Sequence, residues 1–182
     1  MPPALSILPD PPPPPTSIGL IAGGGRLPLL VAQSLRSQGH EVICLGLAGQ
    51  YEPELPGICD RFTEVGILRI ASWGRKFAKQ GVRHAIMVGL VDKAKLMHDP
   101  LKLVRNLPDL TTARAWYGRL RHDRRSSVLL SAIAEELDRH GVGLMDSTAP
   151  IQDHLASAGV MTKRTPTDDH HGDVAFVWPL LA

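Results

Sequence analysis

The sequence predicts an α/β fold, an open parallel sheet of about five strands with helices on both faces. Short apolar runs alternate with segments of helical period from Ile18 to Met145. Several of the runs end in glycine, at Gly23, Gly46, Gly66 and Gly89. Repeated strand–helix units of this length join parallel neighbours, because a crossover helix returns each strand to the same direction.

Ile18–Ala22 reads as the first strand. Arg26–Gln38 follows as a helix, with Leu27, Leu30, Val31 and Leu35 on one face and Gly39 as its stop. Glu41–Leu45 and Phe62–Val65 are expected as strands two and three. Ile67–Gln80 is expected as a helix burying Ile67, Ile70, Ala71, Phe77 and Ala78, with Gly81 just beyond it. Ala85–Val88 is strand four. Leu101–Arg121 is expected to be mostly helical, interrupted near Pro108. Arg124–His140 has the clearest apolar stripe, Val128, Leu129, Ala132, Ile133 and Leu137. Gly141 closes it, and Val142–Met145 is strand five.

A chain of 182 residues can build one core. A formal charge of +2 implies no global polyelectrolyte. Residues 1–17 include five consecutive prolines, Pro11 to Pro15, and read as a disordered leader of polyproline II character. Cys44 and Cys59 fall in or near expected core segments, which suits free thiols in a reducing cytosol. No apolar run reaches the roughly 20 residues that span a bilayer. No charged and apolar leader predicts secretion.

Chemistry is concentrated in Ile18–Leu29, IGLIAGGGRLPL. A strand that runs through three glycines into a helix is a phosphate-binding turn. Gly23, Gly24 and Gly25 can take positive φ and admit a ligand close to the main chain. The helix start turns unpaired N–H groups toward an anion, and Pro28 fits its first turn. Arg26 adds charge.

A dinucleotide site fits less well. Pro28 stands where the third small residue of Gly23-x-Gly25-x-x would be. Strand two closes Cys44-Leu45-Gly46 without an acid for a ribose, and the next acid is Glu52. An NAD(P)-binding oxidoreductase domain therefore stays a secondary alternative.

Lys93 and Lys95 follow strand four and are candidates to reach an anion there. Residues 102–125 carry seven basic residues against two acidic, with Trp116 and Tyr117 among them. Such a face suits an anionic membrane surface or an acidic partner. No nucleic-acid motif accompanies it, so no nucleic-acid partner is expected. Asp168, Asp169, His170, His171 and Asp173 have metal-binding side chains. The preceding Thr165-Pro166-Thr167 favours a helix cap with acids in its first turn. No nucleophilic triad or Cys/His pair is evident.

Four stretches together resemble the LpxI-type UDP-2,3-diacylglucosamine pyrophosphatases. They are GLIAGGGRLPLLVA (19–32), AIMVGLV (85–91), DRRSSVLLSAIAEELDRHGVGLMDST (123–148) and GVMTKRTPTDDHHGDVAF (159–176). The resemblance implies a Rossmann-like N-terminal domain over 18–160. Residues 161–182 would then be a linker and the truncated start of a second domain. It implies a cytoplasmic enzyme, or one peripheral on the inner membrane, acting in lipid A biosynthesis. The implied reaction is hydrolysis of a UDP-sugar lipid to UMP and 2,3-diacylglucosamine 1-phosphate, with a divalent cation, Mg2+ foremost. In this family the acidic metal motif belongs to the second domain, so no catalytic or metal-ligating residue carries over. The implied binding residues are Gly23, Gly24, Gly25, Arg26 and Lys93. Binding without turnover is expected, and a non-catalytic nucleotide-sugar module is the first alternative. Homo-oligomerisation, and whether the chain is a fragment, half of a split gene or a pseudoenzyme, stay open at this level.

Overall fold

The computed structural model describes residues 8–9, 11–92, 126–156 and 159–180. The chain forms two compact units, Met1–Ile151 and Gln152–Ala182. The expected helix over 101–121, the basic segment 102–125 and Lys93 lie outside the described residues.

The first unit contains β1 (Ser17–Ala22), α1 (Leu27–Ser37), β2 (Glu41–Leu47), the short α2 (Leu55–Ile58) and β3 (Arg61–Val65). It continues with α3 (Ile70–Lys79), β4 (His84–Val88), α4 (Ser126–Asp138) and β5 (Gly143–Leu144). The sheet has five strands in the order β3-β2-β1-β4-β5. Every pairing is parallel, with Ile18 opposite Val42 on one side and His84 on the other. This is the Rossmann-like architecture expected from the alternating runs.

Both faces of the sheet are covered, so β1 after Ser17 and β2 after Glu41 are buried at every residue rather than every second one. Ile21, Ile43, Leu45 and Ala85 join Ile70, Trp73 and Phe77 of α3 and Ile133 and Leu137 of α4 in one buried cluster. Their strand neighbours Leu20, Val42, Cys44 and Ile86 point the other way, into a cluster with Val31, Ala32 and Leu35 of α1 and Leu55 of α2. Successive residues of one strand thus feed opposite cores.

Two helix faces differ from expectation. Leu27 is 49% exposed, and α1 buries Pro28, Val31, Ala32 and Leu35 instead. That set follows the i, i+3, i+4, i+7 spacing, which places Leu27 about 90° from the centre of the stripe. On α3, Ala78 is exposed while Trp73 is buried, its Nε1–H donating to Gly66 O at 2.9 Å. Its polar edge finds a carbonyl, so the ring can pack inside. The side chains of Val128 and Leu129 lie outside those described.

The N-terminal edge of the sheet is pinned by Asp60. Its Oδ2 accepts the Val42 N–H at 2.8 Å, and its Oδ1 pairs with Arg36 at 3.1 Å. Before β1, the Thr16 carbonyl accepts the Glu41 N–H at 3.2 Å and the Pro9 carbonyl accepts the Asp146 N–H at 3.0 Å.

In the second unit, α5 (Asp168–Val177) opens on Thr167 with Asp168 and Asp169 in its first turn. The Thr167 N–H donates to His170 Nδ1 at 3.1 Å, and the His171 N–H donates to the Thr167 carbonyl at 3.1 Å. The acid-rich segment is therefore a capped helix start. None of the residues of α5 is buried.

Candidate functional site

The chain builds outward from β1 to β3, then returns to place β4 on the other side of β1. Loops leaving β1 and β4 therefore diverge at the centre of the sheet, which is where open α/β sheets bind ligands. Three segments meet there: the glycine turn 23–26, the loop 48–52 after β2, and Gly89–Asp92 after β4.

The three glycines do not share one task. The Gly23 N–H donates to Val88 O at 2.9 Å and the Gly24 N–H to Leu90 O at 2.8 Å. Leu90 returns a bond to Gly24 O at 2.9 Å, closing an isolated antiparallel bridge. A Cβ at Gly23 would stand 2.5 Å from Leu90 O and 3.0 Å from Gly89 C. One at Gly24 would stand 2.7 Å from Gln50 O. These two glycines exist so that main chain can touch main chain, and neither takes positive φ. Gly25 does, at φ +91, and its outer side is open, with nothing within 4 Å of an added Cβ. Of the three turn glycines, Gly25 combines left-handed backbone with free space.

Gln50 stitches the loop after β2 to the loop after β4. It is 8% exposed. Its Oε1 accepts the Asp92 N–H at 2.8 Å, and its Nε2 donates to Asp92 O at 3.4 Å. A buried amide with both ends bonded holds two loops at fixed separation.

One acid reaches the turn. The Gly25 N–H donates to Glu52 Oε1 at 2.9 Å. Glu52 is the first acid after β2, and the loop folds it back over the start of α1. Tyr51, beside it, packs edge-on against Phe62 with ring centroids 4.9 Å apart and donates its hydroxyl to Glu64 Oε2 at 2.9 Å. That bond to a carboxylate raises the Tyr51 pKa above the ordinary phenol range. Arg26 is exposed at the N-cap of α1, its carbonyl accepting the Leu30 N–H at 3.1 Å. Gly23, Gly24, Gly25 and Arg26 are thus together at the centre of the sheet, with Gln50 and Glu52 beside them. Lys93 lies outside the described residues.

Cys44 and Cys59 are both free and buried, and their thiols hydrogen-bond to each other. That contact, then burial, holds the Cys44 thiol far above the ordinary range, and the same contact lowers Cys59. Both belong to the core beneath α1 and α2. Among the described residues no group of three or more His, Cys, Asp or Glu side chains is placed to hold a metal ion. None of the described helices is long and apolar enough to cross a membrane.

A parallel sheet of this order, covered on both faces and carrying a glycine turn at its centre, defines a Rossmann-like class of domain. The LpxI N-terminal domain family matches residues 17–154, most of the chain, and the chain belongs to that family. No curated protein matches it. Among solved structures it is similar to UDP-glucose 4-epimerase from Bifidobacterium longum in complex with NAD+ and UDP. There the identity is 16% and the TM-score 0.40, over 91% of this chain and 48% of that one. UDP-glucose-4-epimerase from Stenotrophomonas maltophila, with bound NAD and formylated UDP-arabinopyranose, gives 12% identity and TM-score 0.38, over 67% and 34%. N5-carboxyaminoimidazole synthetase from Staphylococcus aureus gives 21% and 0.32, over 39% and 18%. The chain spans less than half the length of each of these proteins. At such scores the fold assignment rests on the sheet topology itself.

Proposed function

We propose that this chain is the nucleotide-sugar-lipid-binding domain of a UDP-2,3-diacylglucosamine pyrophosphatase of lipid A biosynthesis. The observation that carries the reading is the open Gly25–Arg26 corner at the start of α1, at the centre of the sheet of an LpxI-family domain. A ligand phosphoryl group there meets the Gly25 N–H, the positive end of α1 and the Arg26 guanidinium. The space over Gly23 and Gly24 is closed by the bridge to Leu90, so the contact is to one phosphoryl group. Lys93, next after the Gly89–Asp92 loop, is the second candidate cation.

The reading includes a divalent cation, Mg2+ foremost. The described residues do not fit one: they hold no ligand cluster, and the acid-rich segment at Asp168 is a helix cap. The family resemblance, and not this chain, assigns the metal to a second domain, and no step is routed through it here. What this chain supplies is binding and orientation. In the second unit Phe176 and Trp178 are 75% and 72% exposed, with Val174 and Leu180 also exposed. Apolar side chains so placed suit cover by a further domain. Peripheral contact with an anionic inner-membrane surface through 102–125, and self-association, belong to the same reading.

The purified chain should bind UMP and release none from UDP-2,3-diacylglucosamine in the presence of Mg2+. Pyrophosphate hydrolysis needs an activated water and charge stabilisation on the transferring group, which a coordinated metal supplies. Metal-dependent UMP release that is lost in Asp168→Ala or Asp173→Ala would overturn this division of labour. Calorimetry showing no UMP binding would remove the site.

NAD(H) should give no saturable signal in a nicotinamide fluorescence titration in the micromolar range. A dinucleotide pyrophosphate lies along the whole glycine turn and needs a small third residue. Here Pro28 takes that place, and Gly24 is bonded to Leu90 across the path. A saturating titration would restore the oxidoreductase alternative.

A further inference from the structure

We infer that the Glu52 carboxylate is a built-in competitor for the anion corner of α1, and that a ligand phosphate binds by displacing it from the Gly25 N–H. The inference rests on the binding reading above and adds what governs its affinity.

Three observations carry it. First, the Gly25 N–H is already engaged, by Glu52 Oε1 at 2.9 Å. A carboxylate oxygen on a backbone N–H at a helix start makes the contact that a phosphate oxygen would make. Second, no other glycine N–H of the turn can substitute. Gly23 and Gly24 donate to Val88 O and Leu90 O, and those bonds hold the centre of the sheet together. Third, the anchor of Glu52 is its backbone and not its side chain. The Glu52 carbonyl accepts the Leu55 N–H at 3.0 Å, and Leu55 is fully buried. The main chain therefore stays in place while the carboxylate rotates away. The open side of Gly25 leaves room for the incoming group.

Charge makes the two occupants exclusive. Two anions sharing one N–H would sit within a few ångströms of each other, where like charges repel strongly. Binding must break the Gly25–Glu52 bond, and the observed affinity is reduced by the strength of that bond. A ligand hydroxyl would be treated in the opposite way. An acid at this place would accept a ribose or sugar hydroxyl, and its removal would weaken binding. The sign of the effect separates the two roles.

The test uses the full chain, its Glu52→Gln and Glu52→Ala variants, and UMP, inorganic phosphate and uridine as probes in titration calorimetry. Both variants should bind UMP and phosphate more tightly, Glu52→Ala by roughly tenfold for the lost charge-assisted bond and Glu52→Gln by less, because it loses only the charge. Uridine, which has no phosphate, should be unaffected. Glutamine keeps an oxygen for the Gly25 N–H, so Glu52→Gln preserves the fold if alanine does not. In the unmutated protein, the Gly25 amide and the Glu52 side-chain carboxyl resonances should shift together as UMP is added. UMP binding by the parent with equal or weaker binding by both variants would overturn the inference and leave the binding reading standing. Failure of all three proteins to bind UMP would overturn both.

Discussion

Phe77→Ala should remove about 3–5 kcal/mol of stability, the range for truncating a fully buried aromatic ring. Phe77 is 0% exposed and sits in the cluster shared by α3, α4 and the sheet. Its ring lies flush on β1, where a Cβ at Gly19 would come within 2.8 Å of two ring carbons. The absence of a side chain at Gly19 is what lets the ring approach. Neither neighbour can refill the space, because Gly19 has no side chain and Val82 is fixed in its own buried position. A chain of this size should lose on the order of 10 °C in thermal midpoint. Urea unfolding should show the loss as a lower midpoint with unchanged slope. A change below about 1 kcal/mol would mean that the core beneath α3 is packed otherwise.

Gly23→Val should be about as damaging, at about 3 kcal/mol or more for forced overpacking with broken hydrogen bonds. The atoms that a Cβ would strike, Leu90 O at 2.5 Å and Gly89 C at 3.0 Å, are main chain and cannot rotate aside. Relief requires opening the Gly24–Leu90 bridge. The centre of the sheet would then lose bonds of 2.8 and 2.9 Å. Gly25→Ala is the contrasting case. Nothing obstructs it, and only its φ of +91 is strained, so it should cost about 1–2 kcal/mol. Denaturant titration of the two variants side by side reads the difference. Equal effects would show that Gly23 and Gly25 do the same work.

These expectations separate what a glycine triplet says from what it hides. Gly23, Gly24 and Gly25 are legible as a turn between strand and helix, because only the order strand, glycines, Pro28 is needed to see it. Their individual tasks are not legible. Gly23 answers to Gly89 and Leu90, and Gly24 answers to Gln50, across separations that local pattern does not encode. Glu52 is the clearest instance. Along the chain it stands well past the end of β2 and looks unrelated to the turn, yet it bonds Gly25. The one signal was its position as the first acid after the strand that pairs with β1.

The sequence by itself determined the α/β alternation, the parallel sheet and the family. Apolar runs closed by glycine need no distant information, since strand and helix periods are local properties of the chain. It also determined the helix start at Thr167, because a cap and first-turn acids lie within a few residues of each other. The tertiary structure decided the strand order β3-β2-β1-β4-β5 and hence where the loops diverge. It decided the phase of α1, which buries Pro28 and turns Leu27 outward, and the burial of Trp73 through Gly66. It also placed a carboxylate on the corner where a phosphate is proposed to bind. The physical reason is the same in each case. Which surfaces meet depends on contacts between residues far apart in sequence, and steric fit and pairing of buried polar groups decide among the arrangements that local pattern allows.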